Sequence, residues 1–117
     1  MKTGSFKLRS RQWIVDEHNQ IIMGEGRRDI LENIQKTGSI NKTAKIMKMS
    51  YKGVWGKIKA TENYLNFRIV HTDRKEGSHL THEGQELLDK YNMLKKKCIE
   101  EDNRIFRGIF FKEASEQ

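Results

Sequence analysis

Six lysines and no acidic residue fall between Lys42 and Lys59, with Ser39 just ahead of that run and Ser50 inside it. Ammonium groups and hydroxyls at this density suit the phosphate oxygens of a polyanion: the lysines act as charges, the hydroxyls as short directional donors. A second cationic pair, Arg74-Lys75, stands in the polar segment Asp73-Arg74-Lys75-Glu76-Gly77-Ser78. The other groups able to do chemistry are His71, His79, His82 and Cys98. The histidines, spaced by eight and three residues and accompanied by one cysteine, match no compact zinc pattern. The sequence has no GxxxxGK phosphate loop and no nucleophile elbow. No catalytic residue, metal site or cofactor is therefore expected, and an enzyme is set aside.

The whole composition agrees with a polyanion partner. The 117 residues carry 23 Lys plus Arg against 16 Asp plus Glu, a formal charge of +7 with a pI near 9.6. The charge is concentrated: residues 1–60 hold 13 basic and 5 acidic side chains, whereas residues 99–117 hold 3 basic and 5 acidic. No segment approaches the roughly 20 apolar residues that span a bilayer, and MKTGSFKLRSRQW lacks the apolar run of a signal peptide. The expectation is a cytoplasmic protein, residues 1–117 forming one domain, with no membrane partner. Cys98 is the only cysteine, so no internal disulfide can form, and the absence of proline suits a mainly helical chain.

The elements that position these groups can be read from pattern. Aromatic and β-branched residues mixed with cations over Phe6 to Val15, then Ile21-Ile22-Met23 after a polar turn, predict a β-hairpin over 6–23. Ile30, Leu31 and Ile34 give one face of a helix from Arg28 to Lys36, closed by Thr37-Gly38. Ser39 is placed to cap a second helix with Ile40, Ala44 and Met47 inward. Ser50 caps a third, whose inner stripe is Val54, Ile58, Thr61 and Leu65 with Trp55 on its flank. At about 100° per residue, Lys52, Gly53, Gly56, Lys59 and Asn63 fall on the opposite, exposed face. Residues 39–66 thus read as a helix-turn-helix whose second helix can enter a DNA major groove. Gly53 and Gly56, each costing about 1 kcal/mol relative to alanine, suit either close backbone approach to DNA or close helix packing.

Residues 69–80 form a short strand, a polar turn and a returning strand, the wing of a winged helix-turn-helix, with Arg74 and Lys75 at its tip. Thr81 opens a last helix over 82–111, on which Leu87, Tyr91, Leu94, Cys98, Ile105 and Ile109 trace a stripe. That helix, some 45 Å long at about 1.5 Å per residue, exceeds what its own core needs and suits dimerisation. Glu101-Asp102 interrupts the stripe, so a break or bend is expected before Ile105. The apolar Ile105-Phe106 and Ile109-Phe110-Phe111 are expected on a partner copy or on the amino-terminal hairpin, or at a point where a longer protein continues.

With these elements placed, the sequence resembles the amino-terminal DNA-binding domain of the molybdate-responsive transcriptional regulators over roughly Gly24 to Lys97. The resemblance rests on Gly26-Arg27-Arg28 with Ile30-Leu31, Thr37-Gly38-Ser39-Ile40, Ala44-Lys45, Met49-Ser50-Tyr51-Lys52 followed by Trp55, and Leu80-Thr81 with Gly84. The Gly-Ser-Ile element is shared with LysR-type regulators; Ser-Tyr-Lys-x-x-Trp is more specific. The resemblance implies a winged helix-turn-helix, a homodimer joined through the first and last helices, and DNA contacts by Ser39, Ser50, Tyr51 and Lys52. Molybdate binding is not carried over, because the family's binding domains follow this region and the chain ends before one could begin. The wing is shorter and more charged than in many relatives, and Lys48 stands where helix-turn-helix proteins often have glycine.

The combined expectation is mainly α with small β-hairpins, a winged helix-turn-helix with a long C-terminal dimerisation helix. It would act as a sequence-specific DNA-binding transcriptional regulator, a homodimer on a palindromic operator in double-stranded DNA. The expected DNA-contacting residues are Ser39, Lys42, Ser50, Tyr51, Lys52, Gly56, Lys59, Arg74 and Lys75. The expected dimer residues are Ile30, Leu87, Tyr91, Leu94, Cys98 and Ile105. The alternative is a winged-helix module that contacts an unidentified protein partner without sequence-specific DNA binding.

Overall fold

The computed structural model describes residues 5–111. In chain order the elements are β1 (Ile14–Val15), β2 (Ile21–Met23), α1 (Glu25–Thr37), α2 (Ile40–Met47), α3 (Tyr51–Leu65), β3 (Val70–Asp73), β4 (Gly77–Leu80) and α4 (His82–Phe110). The strands form two separate antiparallel hairpins, β1-β2 and β3-β4. The fold is mainly helical with two small hairpins and a long carboxy-terminal helix, as the sequence predicts.

One apolar cluster holds the helices together. Met23 from β2, Ile30, Leu31 and Ile34 from α1, Ile40 and Ala44 from α2, Val54 and Ile58 from α3, Ile69 and Val70 at β3, and Leu88 and Tyr91 from α4 are all buried. Each helix supplies residues at helical spacing, so its apolar stripe faces inward and its charged side faces water. Met47, Trp55, Leu80 and Leu87 pack around the rim. On α4 the predicted stripe holds at Tyr91, which is buried, but one turn earlier Leu88 is the core residue and Leu87 only borders the core.

Helix ends follow their capping chemistry. Ser39 Oγ accepts from Lys42 N at 3.1 Å, Ser50 Oγ from Gly53 N at 2.9 Å, and Thr81 Oγ1 from Gly84 N at 2.9 Å. α1, α2 and α3 each stop on a left-handed residue, respectively Gly38 (φ 68°), Lys48 (φ 56°) and Asn66 (φ 61°). Lys48 is the costly choice, since a side chain disfavours that conformation by about 1–2 kcal/mol. Its N–H donates to Ala44 and Lys45 carbonyls, and Met49 N–H donates to Ala44 O at 2.9 Å, so the turn closes without a glycine.

Two boundaries differ from the sequence reading. The amino-terminal hairpin is confined to Ile14–Val15 and Ile21–Met23, with a turn in which Asp16 Oδ1 accepts from His18 N and Gln20 N. Residues 6–13 are not strand; they run as an arm beside α4. Phe6 packs on Phe106, Phe110 and Phe111 with ring centroids 5.8, 5.9 and 5.3 Å away, and Gln12 O accepts from Tyr91 Oη at 2.6 Å. Extended arm and strand share the same period-two pattern, and only pairing tells them apart. α1 begins at Glu25 rather than Arg28, and Glu25 makes a 2.5 Å ion pair with Lys95 of α4.

The break expected near Glu101-Asp102 is absent: α4 runs unbroken for 29 residues, about 43 Å. Glu101 pairs with Arg104 along the exposed helix surface, where acids need no core and do not interrupt backbone bonding. Only Gly84, Leu88 and Tyr91 of α4 are buried, so the later turns project from the core.

Candidate nucleic-acid interface

α3 presents its basic amino-terminal face to solvent because Val54, Ile58 and Thr61 anchor the opposite face in the core. Thr61 Oγ1 donates to Ile22 O at 2.7 Å and fixes the rotation of the helix against β2. Ser50, Tyr51, Lys52, Gly56 and Lys57 are consequently exposed, Tyr51 at 46% despite its nearness to the inner face on the helical wheel. The capping oxygen of Ser50 accepts through a lone pair, which leaves its exposed hydroxyl able to donate as well.

The two glycines of α3 separate cleanly. A Cβ on Gly53 would lie 3.1 Å from Ser50 Oγ and 3.6 Å from Met49 Cε, so Gly53 accommodates the cap. A Cβ on Gly56 would meet nothing within 4 Å. No packing within the protein accounts for Gly56, which leaves a flat stretch of helix backbone on the basic face. Gly56→Ala is expected to raise stability by about 0.5–1 kcal/mol through helix propensity. The same substitution should weaken duplex binding, which a paired thermal melt and anisotropy titration would read; unchanged affinity would remove Gly56 from the interface.

Lys59 sits differently from Lys52. Its Nζ is 3.1 Å from Glu62 Oε1 and 4.7 Å from the Trp55 ring centroid, which holds the ammonium along the helix flank. Glu62, which the sequence reading did not single out, is buried at 6% exposure, and one oxygen accepts from Ile69 N at 2.8 Å and Val70 N at 3.2 Å. Burial pushes its carboxyl up, but these two N–H donors and Lys59 outweigh burial and leave the pKa below its ordinary value. Glu62 thereby ties α3 to the first residues of the wing. Backbone donors seven and eight residues further along leave no trace in residue types; the available signal was a lone acid shortly after an acid-free basic run.

α2 contributes Ser39 and the exposed Lys42. Ser39 is held by Thr37, whose Oγ1 accepts from Ser39 N at 3.1 Å and donates to Asn33 O at 2.8 Å. The base of the wing is fastened to the same junction, since Ser78 N donates to Gly38 O at 2.9 Å. Gly77 (φ 78°) lies so close that a Cβ there would sit 2.5 Å from Gly38 O. At the tip, Asp73 Oδ1 accepts from Lys75 N at 2.7 Å and Glu76 N at 3.2 Å, bonds that lower its carboxyl pKa and leave Arg74 and Lys75 exposed. The structure therefore clusters Ser50, Tyr51, Lys52 and Gly56 on α3, and links Ser39 to the wing base.

The expected dimer residues divide. Ile30 and Tyr91 are each 1% exposed in the chain's own core and have no surface left for a partner; there they pack α1 against α4. Leu87 and Cys98 are half-buried, whereas Leu94 (40%) and Ile105 (50%) are exposed, as are Met93 and Ile109. No described helix is long and apolar enough to cross a membrane.

Comparison with known proteins agrees with this geometry. Residues 29–85, from within α1 through the helix-turn-helix and wing to the first turn of α4, match the family of bacterial regulatory helix-turn-helix proteins of the lysR type. The fold is similar to that in a crystal structure of the CbnR DNA-binding domain in complex with DNA, with a TM-score of 0.58 at 16% identity over 71% of this chain and 94% of that one. No curated protein matches the sequence. Residues 29–85 are thus similar to a regulatory helix-turn-helix of the lysR type, and the chain has a winged helix-turn-helix fold.

Proposed function

We propose that this protein is a DNA-binding transcription regulator that inserts the amino-terminal half of α3 into the major groove of duplex DNA. The observation that carries the proposal is the exposed face of Ser50, Tyr51, Lys52 and Gly56, on a helix-turn-helix with no acid between Lys42 and Lys59. Lys52 faces base edges and phosphates near the helix start, while Ser39, Ser50 and Lys42 bind the backbone from the helix amino termini. Arg74 and Lys75 clamp from the wing. Lys59, held by Glu62 and Trp55, approaches the groove from the flank. The resemblance to molybdate-responsive regulators is kept for this reading head alone. A bacterial regulator of this kind works in the cytoplasm, at the nucleoid.

Two copies joined through α4 would present two reading heads to a palindromic site. The surface offered is the exposed apolar set Leu94 and Ile105 with Met93 and Ile109, bordered by Leu87 and Cys98.

Fluorescence anisotropy on random and palindromic duplex pools at two salt concentrations, with selection of the bound fraction, tests both parts. Enrichment of a two-fold symmetric site with steep salt dependence supports the dimeric reader. No retention of any duplex at low salt overturns it and turns the basic face toward a protein partner. Lys52→Ala is expected to cost about 1–3 kcal/mol on the selected site and less on random duplex. Equal loss on both would reduce Lys52 to a phosphate contact.

A further inference from the structure

The register of the wing places His71 directly opposite His79. Their rings lie with centroids 5.1 Å apart and planes inclined by 59°, and both side chains are exposed. Alternation along the strands puts these two rings on the outer face, while Val70 and Ser78, one residue away, are buried on the inner one. Sequence spacing alone did not show this, because seven intervening residues are bridged into a contact only when the turn closes at Arg74-Lys75-Glu76.

Two imidazoles binding one metal ion through nitrogens at about 2.0–2.1 Å, with a tetrahedral angle between them, bring their ring centroids to about 5 Å. The observed separation is already that distance. The third candidate ligand on this face, Asp73, has one carboxylate oxygen engaged by the N–H groups of Lys75 and Glu76. Among the described residues no group of three or more His, Cys, Asp or Glu side chains is assembled for a metal. His82 is separate, on the first turn of α4 beside Glu86, and Cys98 lies four turns further along that helix.

We propose that His71 and His79 form a two-ligand site for a divalent transition metal of the zinc, nickel or copper kind, with water completing its coordination. Imidazole nitrogen selects these ions over magnesium and calcium, which prefer oxygen ligands. The antiparallel pairing holds the two ligands in place before the ion arrives, so little ordering opposes binding. The ion would place a dication on the flank of the wing, beside the cationic tip of Arg74 and Lys75.

The test is calorimetric titration of the full chain with zinc chloride near neutral pH, without DNA. One-to-one saturable binding is expected, weakened roughly tenfold or more by either His71→Gln or His79→Gln as one of the two ligands is lost. His82→Gln and Cys98→Ser should bind like the parent, and magnesium chloride should give no saturable heat. Far-UV circular dichroism of each variant separates ligand loss from unfolding, and the exposed positions of both histidines favour intact folds. Absence of saturable binding in the parent, parent-like binding by both single variants, or loss on Cys98→Ser would each overturn the site. Because DNA is absent from the titration, failure here leaves the proposed reading head untouched, and failure of the reading head leaves this site untouched.

Discussion

Gly84→Ala is expected to destabilise the protein by about 3 kcal/mol, the upper range for forcing atoms into a packed site. A Cβ on Gly84 would stand 2.0 Å from Ile69 O and 2.9 Å from its carbonyl carbon. These are backbone atoms and cannot swing aside as the end of a side chain would. The Ile69 carbonyl also accepts from Thr81 N at 3.0 Å, and the Ile69 N–H is held by Glu62. Moving the strand away from α4 would therefore loosen the wing at both of its fastenings. Thermal denaturation should show a fall of about 10–15 °C in Tm, taking about 4 °C per kcal/mol for a chain of this size. Gly26→Ala, where a Cβ would meet nothing within 4 Å, is the matched control and should not destabilise. An unchanged Tm for Gly84→Ala would show that the approach of α4 to β3 is not as close as described.

The second large effect is expected at Glu62. Glu62→Ala leaves the N–H groups of Ile69 and Val70 without their acceptor in a buried setting, which costs about 3 kcal/mol. Glu62→Gln keeps a carbonyl oxygen for both donors and loses only the partly exposed pair with Lys59, a change of about 1 kcal/mol or less. Chemical denaturation of the two variants should therefore separate them; equal losses would mean that the carboxylate charge, not its acceptor role, holds the link. The pH dependence has a definite sign. The folded carboxyl titrates below its ordinary value of 4.5, so its stabilising effect is present above that value and is lost as pH falls through the lower, folded one. The parent's advantage over Glu62→Gln should accordingly shrink as acidification passes below the ordinary value of 4.5. Glu62→Gln also releases Lys59, and tighter duplex binding by this variant would support a Lys59 that now reaches the phosphates.

The contrast between Glu62 and the capping serines shows which features the sequence made legible. Ser39, Ser50 and Thr81 act on backbone groups three residues away, so type and spacing were enough to place them. Gly38 and the wing turn are similarly local. The contacts that escaped the reading run between separate elements and fall on backbone atoms: Glu62 on Ile69 and Val70, Tyr91 on Gln12, Gly84 against Ile69. A backbone N–H or C=O has no residue type to betray it. Helical periodicity placed the α4 stripe to within one position, but Leu87 and Leu88 are both apolar and only the neighbouring elements decide which turns inward. The same limit applied to Ile30 and Tyr91, whose apolar stripes were real but faced the chain's own core.

The four-phenylalanine contact at the far end of α4 joins Phe6 to residues about a hundred positions later in the chain. Brought together from an unfolded chain, a loop of that length carries an entropic cost of about 4 kcal/mol or more. Once β2 is seated in the core through Met23, the same contact closes a tether of only seventeen residues, which by the same logarithmic scaling lowers the cost by about 1.5 kcal/mol. Arm docking is thus a late and local event in folding. The arm and the last turns of α4 can open and reclose as a unit of their own, with a free energy set by four rings and a few backbone bonds rather than by the helix-turn-helix beneath them.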